Sequence, residues 1–250
     1  MTTISASQPT PWAIDRKAAV ALAEVENLRF AELLQALGPD DWARPTDCPA
    51  WDVRALASHV LGAMEANVSL PQFIHQLRAG NRAARGRPAI DGMTEVQVAE
   101  RSHLRPDEIT TAVTRLASRA AAARRRVPGP LRRAPMKVEV AGVMETWRLG
   151  YLLDVIFTRD TWMHRVDISR AVGRPMVLTA DHDGRVVADV VTEWARRHGR
   201  SFELTLEGVA GGRFRSGEAG EVIVVDAVEM CRMLSGRATG AGLLTQEVPF

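Results

Sequence analysis

The stretch that decides the reading is TRDTWMHRVDISRAVG, residues 158–173. It sets Asp160 and His164 four residues apart, with Asp167 three further on. On a helix, positions i and i+4 share a face and i+3 lies beside them. A carboxylate and an imidazole then point the same way, with a second carboxylate one turn later. Two such groups can serve a divalent metal, but a site needs a third ligand from elsewhere. From spacing alone an equal alternative stays open: Asp160 paired with Arg159 or Arg165, and His164 bonded to the backbone.

Working outward, the apolar spacing predicts four long helices before residue 176. The first spans about residues 14–37, with Leu22, Val25, Leu28, Leu33 and Leu34 recurring near helical period, and stops at Gly38-Pro39. The second is capped by Asp52 and runs through Leu56, Val60 and Met64, which puts His59 beside its inward stripe. Residues 71–100 begin helical, but GNRAARGRPAIDG carries the breakers of a loop. The third helix opens at Pro106-Asp107-Glu108 and runs to Arg126. Residues 127–136 read as a connection without helix, and residues 138–144 as a short extended piece or loop. The fourth helix covers about residues 146–172 and holds the opening motif. In an antiparallel bundle, facing helices project side chains into one interior, so His59 is the candidate third ligand.

After residue 176 the pattern changes. A fifth helix from about residue 181 to 197 leads into FELTLE (202–207), a turn at Gly211-Gly212, a short strand at 213–215, EVIVV (221–225) and a short helix at 226–234. Residues 1–12 read as a loose tail. The expected fold class is therefore α+β, with a helical bundle over 1–176 and a small α/β domain over 177–250.

Composition excludes several classes. A net charge of +2 offers no field to attract nucleic acid. No apolar run approaches the ~20 residues of a membrane span, and MTTISASQPTPW is no secretory signal. Cys48 and Cys231 form no CxxC pair and fit a reducing cytoplasm. Cys48 reads as a turn residue and Cys231 as a small buried one. His75, His103, His182 and His198 read as surface residues, and Trp51 and Trp162 as bundle packing.

The stretch CPAWDVRALASHV (48–60), taken with RDTWMHRVD (159–167), resembles the mycothiol-dependent maleylpyruvate isomerase family, within the wider DinB-like metal-binding bundles. Leu234-Ser235-Gly236-Arg237, Gly242-Leu243-Leu244 and Val248-Pro249-Phe250 resemble that family's C-terminal end. The resemblance implies a DinB-like four-helix bundle followed by a sterol-carrier-like α/β domain. It implies a divalent metal, zinc, on His59, Asp160 and His164, with mycothiol as thiol cofactor. It also implies Asp167 as an acid near the metal and Arg237 as a substrate-binding arginine, although Arg232 lies in the same element. The characterised pattern has Glu where this chain has Asp160, one methylene shorter. The implied activity is isomerisation or thiol transfer on a small carboxylate-bearing substrate, in a monomer or homodimer that binds neither nucleic acid nor membrane. Two other readings stand beside it: a metal-dependent hydrolase with metal-activated water, and a non-catalytic metal-binding or regulatory protein.

Overall fold

A computed structural model describes residues 2–3 and 14–250. Apart from Thr2–Thr3, the expected N-terminal tail lies outside the described residues. The chain divides into two compact units, Arg16–Pro175 and Met176–Phe250, with Thr2–Thr3 in the second. The protein is α+β, an N-terminal helix bundle followed by a small sheet region.

The first unit contains helices α1 (Arg16–Gln35), α2 (Val53–Val68), α3 (Leu70–Ala84), α4 (Ala89–Ala99) and α5 (Pro106–Arg126). Then come a one-turn helix α6 (Gly129–Arg132), the hairpin β2 (Pro135–Val140) and β3 (Val143–Arg148), and α7 (Leu149–Tyr151). A π-helical turn, Leu152–Ile156, leads into α8 (Phe157–Ala171). Helices α1, α2, α5 and α8 form the bundle. Their shared core includes Phe30 and Leu34 of α1, Leu56 and Val60 of α2, Ile109 and Val113 of α5, and Ile168 of α8. Asp52 starts α2 as expected, its side chain accepting from the Ala55 backbone nitrogen at 2.8 Å. That cap fixes the start of the helix two turns before His59.

Three expectations need correction. Residues 80–92 are not a loop, because α3 continues to Ala84 and α4 resumes at Ala89. Gly80 and Gly92, read as breakers, are where the two helices cross. A Cβ on Gly92 would lie 2.1 Å from the Gly80 carbonyl oxygen and 2.5 Å from the Ala84 nitrogen. Only glycine allows that approach, and only Arg85 to Pro88 break the helix. Residues 127–136 do contain a helical turn, with Pro128 at its N-cap and Pro130 in its first turn, where no donor is lost. The expected helix over 146–172 begins later, because Thr146, Trp147 and Arg148 belong to β3 and Trp147 pairs with Met136. Trp147 is buried against Leu149, Leu153 and Phe157, with Met136, Val138 and Val140 of the hairpin packed on that cluster.

In the second unit, α9 (Asp183–His198) precedes β4 (Phe202–Glu207), β5 (Gly212–Ser216), β6 (Glu221–Asp226) and α10 (Ala227–Leu234). The sheet order is β1-β5-β4-β6, where β1 is Thr2–Thr3 and pairs parallel with β5. Phe202, Leu204 and Leu206 alternate inward along β4. Trp194 of α9 packs edge-on to Phe202 at 4.8 Å and donates from its indole nitrogen to the Leu243 carbonyl at 3.0 Å. No described helix is long and apolar enough to cross a membrane.

Candidate metal centre

Helices α2 and α8 face each other inside the bundle, and His59 meets Asp160 and His164 between them. One ligand atom from each of the three lies within 4.8 Å of the others. His59 Nε2 stands 3.3 Å from Asp160 Oδ2, and His164 Nε2 stands 3.3 Å from Asp160 Oδ1. The imidazole rings meet edge to face at 5.1 Å. Neighbouring ligands of a tetrahedral ion held at about 2.0–2.1 Å lie about 3.3–3.4 Å apart. Both histidine–carboxylate pairs therefore have the spacing that such an ion requires, despite the short arm of Asp160.

The other ring nitrogens are held from behind. His164 Nδ1 lies 2.9 Å from Asp167 Oδ2, and Asp167 is fully buried. His59 Nδ1 lies 2.7 Å from Gln97 Oε1. Metal-bound histidines are typically steadied in this way by a carboxylate or other acceptor on the second nitrogen. Trp51 covers the pair, its ring 5.2 Å from His59 and 6.3 Å from His164. The two histidine side chains are 7% and 5% exposed and Asp160 is 21% exposed, so the carboxylate side is the one open to solvent.

The electrostatics follow from that packing. Burial alone would raise the Asp160 carboxyl, but the facing His164 and His59 imidazoles win and hold it well below the usual carboxylate range. Burial would lower His164, but Asp160, with hydrogen bonds to Asp160, Asp167 and Cys48, holds it well above the usual imidazole range. Without a metal, the site is a carboxylate flanked by an imidazolium.

Of the expected site residues, the structure brings together His59, Asp160, His164 and Asp167. Arg237 belongs to the second unit. It follows Gly236 in the turn after α10, its backbone nitrogen bonded to the Arg232 carbonyl at 2.8 Å. The Arg232 guanidinium bonds Glu229 at 2.5 Å. Two residues read as bystanders touch the site. Trp51 covers the histidines, and Cys48 Sγ lies 3.7 Å from Asp167 Oδ2. His182, read as a surface residue, is buried at the N-cap of α9, its carbonyl accepting from the Arg185 and Val186 nitrogens. Gln97 was not foreseen, because its helix was read as the end of a loop.

The model of the mycothiol maleylpyruvate isomerase N-terminal domain matches residues 23–169, more than half of the chain, from within α1 to within α8. The chain belongs to this family. No curated protein matches the sequence significantly. Among solved structures, a crystal structure of a mycothiol-dependent maleylpyruvate isomerase superposes with a TM-score of 0.56 at 17% identity, over 91% of each chain. A histidine-to-alanine mutant of a mycothiol-dependent maleylpyruvate isomerase gives 0.55 at 16% identity, over 90% of each chain. At that identity the likeness to solved structures establishes a shared fold, in keeping with an α+β chain of this family.

Proposed function

We propose that this member of the family is a metal-dependent enzyme that uses mycothiol for isomerisation or thiol transfer on a small carboxylate-bearing substrate. The observation that carries the proposal is the convergence of His59 Nε2, His164 Nε2 and the Asp160 carboxylate at ligand spacing, in a chain whose family is named for that thiol. Two imidazoles and one carboxylate suit zinc and leave a coordination position for another ligand. A divalent metal there would supply a thiolate near neutral pH, because coordination strips the thiol proton.

The chain's own residues do the remaining work. His59, Asp160 and His164 would hold the ion. Asp167 keeps the His164 Nδ1 proton in place through its 2.9 Å contact, leaving Nε2 for coordination. Asp160 is the most exposed of the three, which favours approach of thiol and substrate from its side. Trp51 packs on both imidazole rings and keeps water from them. Arg237 is our assignment for the substrate carboxylate, since guanidinium binds such groups bidentately.

The experiment is turnover of a cis-alkene dicarboxylate by metal-loaded protein with and without mycothiol. The expected result is activity that needs both metal and thiol. Turnover indifferent to added thiol would overturn the proposal and point to metal-activated water. In an active preparation, Arg237→Ala should raise KM for the dicarboxylate more than it lowers kcat.

A further inference from the structure

The α3–α4 pair contributes no ligand, yet it reaches the site through two side chains. Gln76 of α3 and Gln97 of α4 are 0% and 1% exposed. A buried amide is costly unless its groups are paired, so its partners define its orientation. The series begins at the Gly62 carbonyl of α2, which can only accept. Gln76 Nε2 donates to it at 2.9 Å. Gln76 Oε1 is thereby turned toward Gln97 and accepts from Gln97 Nε2 at 2.8 Å. Gln97 Oε1 is left facing His59 Nδ1 at 2.7 Å. An amide oxygen only accepts, so Nδ1 must carry the hydrogen. Turning Gln76 over would set two oxygens against each other at Gly62. Turning Gln97 over would set its oxygen against that of Gln76.

We infer that Gln76 and Gln97 form a tautomer lock. Anchored on a backbone carbonyl, they keep a hydrogen on His59 Nδ1 and so fix the ring with Nε2 directed at the place it shares with Asp160 and His164. Both are positioning residues, and the inference rests on the proposed role of His59 as a ligand. The backbone is shaped to permit the lock. Gly62 lies inside α2, where glycine is disfavoured relative to alanine. A Cβ there would fall 2.8 Å from both Cβ and Cγ of Gln97. The missing side chain is what lets α4 bring Gln97 to His59. Arg101 then fastens that part of α4 to α2, donating to the Gln97 carbonyl at 2.7 Å and pairing with Glu65 of α2. The two histidines are held differently: His164 by a charged carboxylate on its own helix, His59 by a neutral relay across three helices.

The test is nitrogen-15 NMR of the histidine rings in the metal-free full chain, with zinc affinity measured by competition against a chromophoric chelator. Wild-type His59 should show a hydrogen on Nδ1. Gln97→Met keeps the length and removes the acceptor. It should shift His59 toward the Nε2–H form and weaken zinc binding about 10- to 100-fold, the range for losing such a partner. Gln76→Met, which does not touch His59, should give a mixture of forms and a smaller loss, because Gln97 can then turn over. Wild-type His59 in the Nε2–H form, or nitrogen shifts unchanged in a folded Gln97→Met protein, would overturn the lock. Wild-type protein with the Nδ1–H form that binds no zinc would leave the lock standing and sink the proposed metal function instead.

Discussion

Replacing Arg124 with methionine should stabilise the protein. Arg124 is 3% exposed at the end of α5. One of its terminal nitrogens donates to the Leu153 carbonyl at 3.2 Å and to Thr158 Oγ1 at 2.9 Å. Its Nε has no acceptor. Its guanidinium carbon lies 5.4 Å from the Phe157 ring centroid. Among the described residues no carboxylate pairs with it directly, and Asp154, the nearest attraction, is taken by Arg132. Burial lowers Arg124 from its ordinary 12.5 to about 10, against weaker attraction from Asp154 and Asp160. At about 1.4 kcal/mol per unit, that fall means about 3 kcal/mol of uncompensated charge burial. The ring contact and two neutral hydrogen bonds return roughly 1–2 kcal/mol. Methionine fills the same channel without charge, so the variant should gain about 1 kcal/mol, a few degrees in Tm for a chain of this size. The gap should be flat from about pH 6 to 9. It should narrow as pH passes 10, where the unfolded chain holds more protons than the folded one and wild-type stability climbs. Urea melts of the metal-free proteins at several pH values read both effects. A loss of about 2 kcal/mol or more would refute the reasoning by showing that Asp154 and Asp160 more than offset the burial. The same substitution removes a positive charge acting on Asp160, so zinc affinity should rise several-fold.

Other outcomes follow from the site itself. His59→Ala and His164→Ala should each lower bound zinc far below one ion per chain while helical circular dichroism is kept; unchanged metal content would remove these ligands from the site. A chelator should lower the melting temperature of loaded wild-type protein, by an amount equivalent to about 2.7 kcal/mol where free metal stood at 100 times Kd, and should leave His164→Ala unmoved. In metal-free protein, raised His164 contributes stability that is complete below its ordinary 6.5 and fades as pH rises through its higher folded value. Depressed Asp160 contributes stability that is complete above 3.8 and fades only as pH falls through its lower folded value. Zinc binding should therefore release protons near neutrality and weaken as pH falls, which titrations in buffers of different ionisation enthalpy would measure. Gly92→Ala puts a Cβ against backbone atoms of α3, so it should cost about 2 kcal/mol or more and weaken zinc binding through displaced Gln97.

The bundle was legible in the sequence for a definite reason, and so was the meeting of His59, Asp160 and His164, although spacing alone left an ion pair equally open and the family resemblance is what pointed to a metal. Asp160 and His164 sit on one helix at a spacing that forces a shared face, and His59 lies on a stripe set by Leu56 and Val60. Those are local rules, and a bundle leaves little choice about which faces meet. The α3–α4 pair was not legible, because glycine has two meanings. At Gly86, with φ of 89°, it ends a helix; at Gly80 and Gly92 it lets helices cross, and the difference lies in a partner far along the chain. The start of α8 was hidden for a related reason. LLDVI is apolar enough to read as plain helix, yet Leu152–Ile156 winds as a π-turn, the kind of local irregularity often found beside functional sites. Gln97 was missed because a glutamine carries no chemistry of its own until its neighbours fix which end points where.

If His59, Asp160 and His164 hold a dication as proposed, the charges around the centre favour one carboxylate ligand rather than two. With both histidines neutral, His59, Asp160 and His164 would bring a single negative charge to the dication and leave one positive charge over, which would attract a thiolate. A second carboxylate ligand would cancel that excess before the thiol arrived. Asp167 is a second carboxylate close by, but it faces His164 Nδ1 and not the ligand side, so it steadies the ring without entering the ligand set. On His59 the equivalent place is filled by a neutral amide. A carboxylate there would add negative charge behind the ligands, whereas Gln97 fixes the ring direction and leaves the charge of the centre alone.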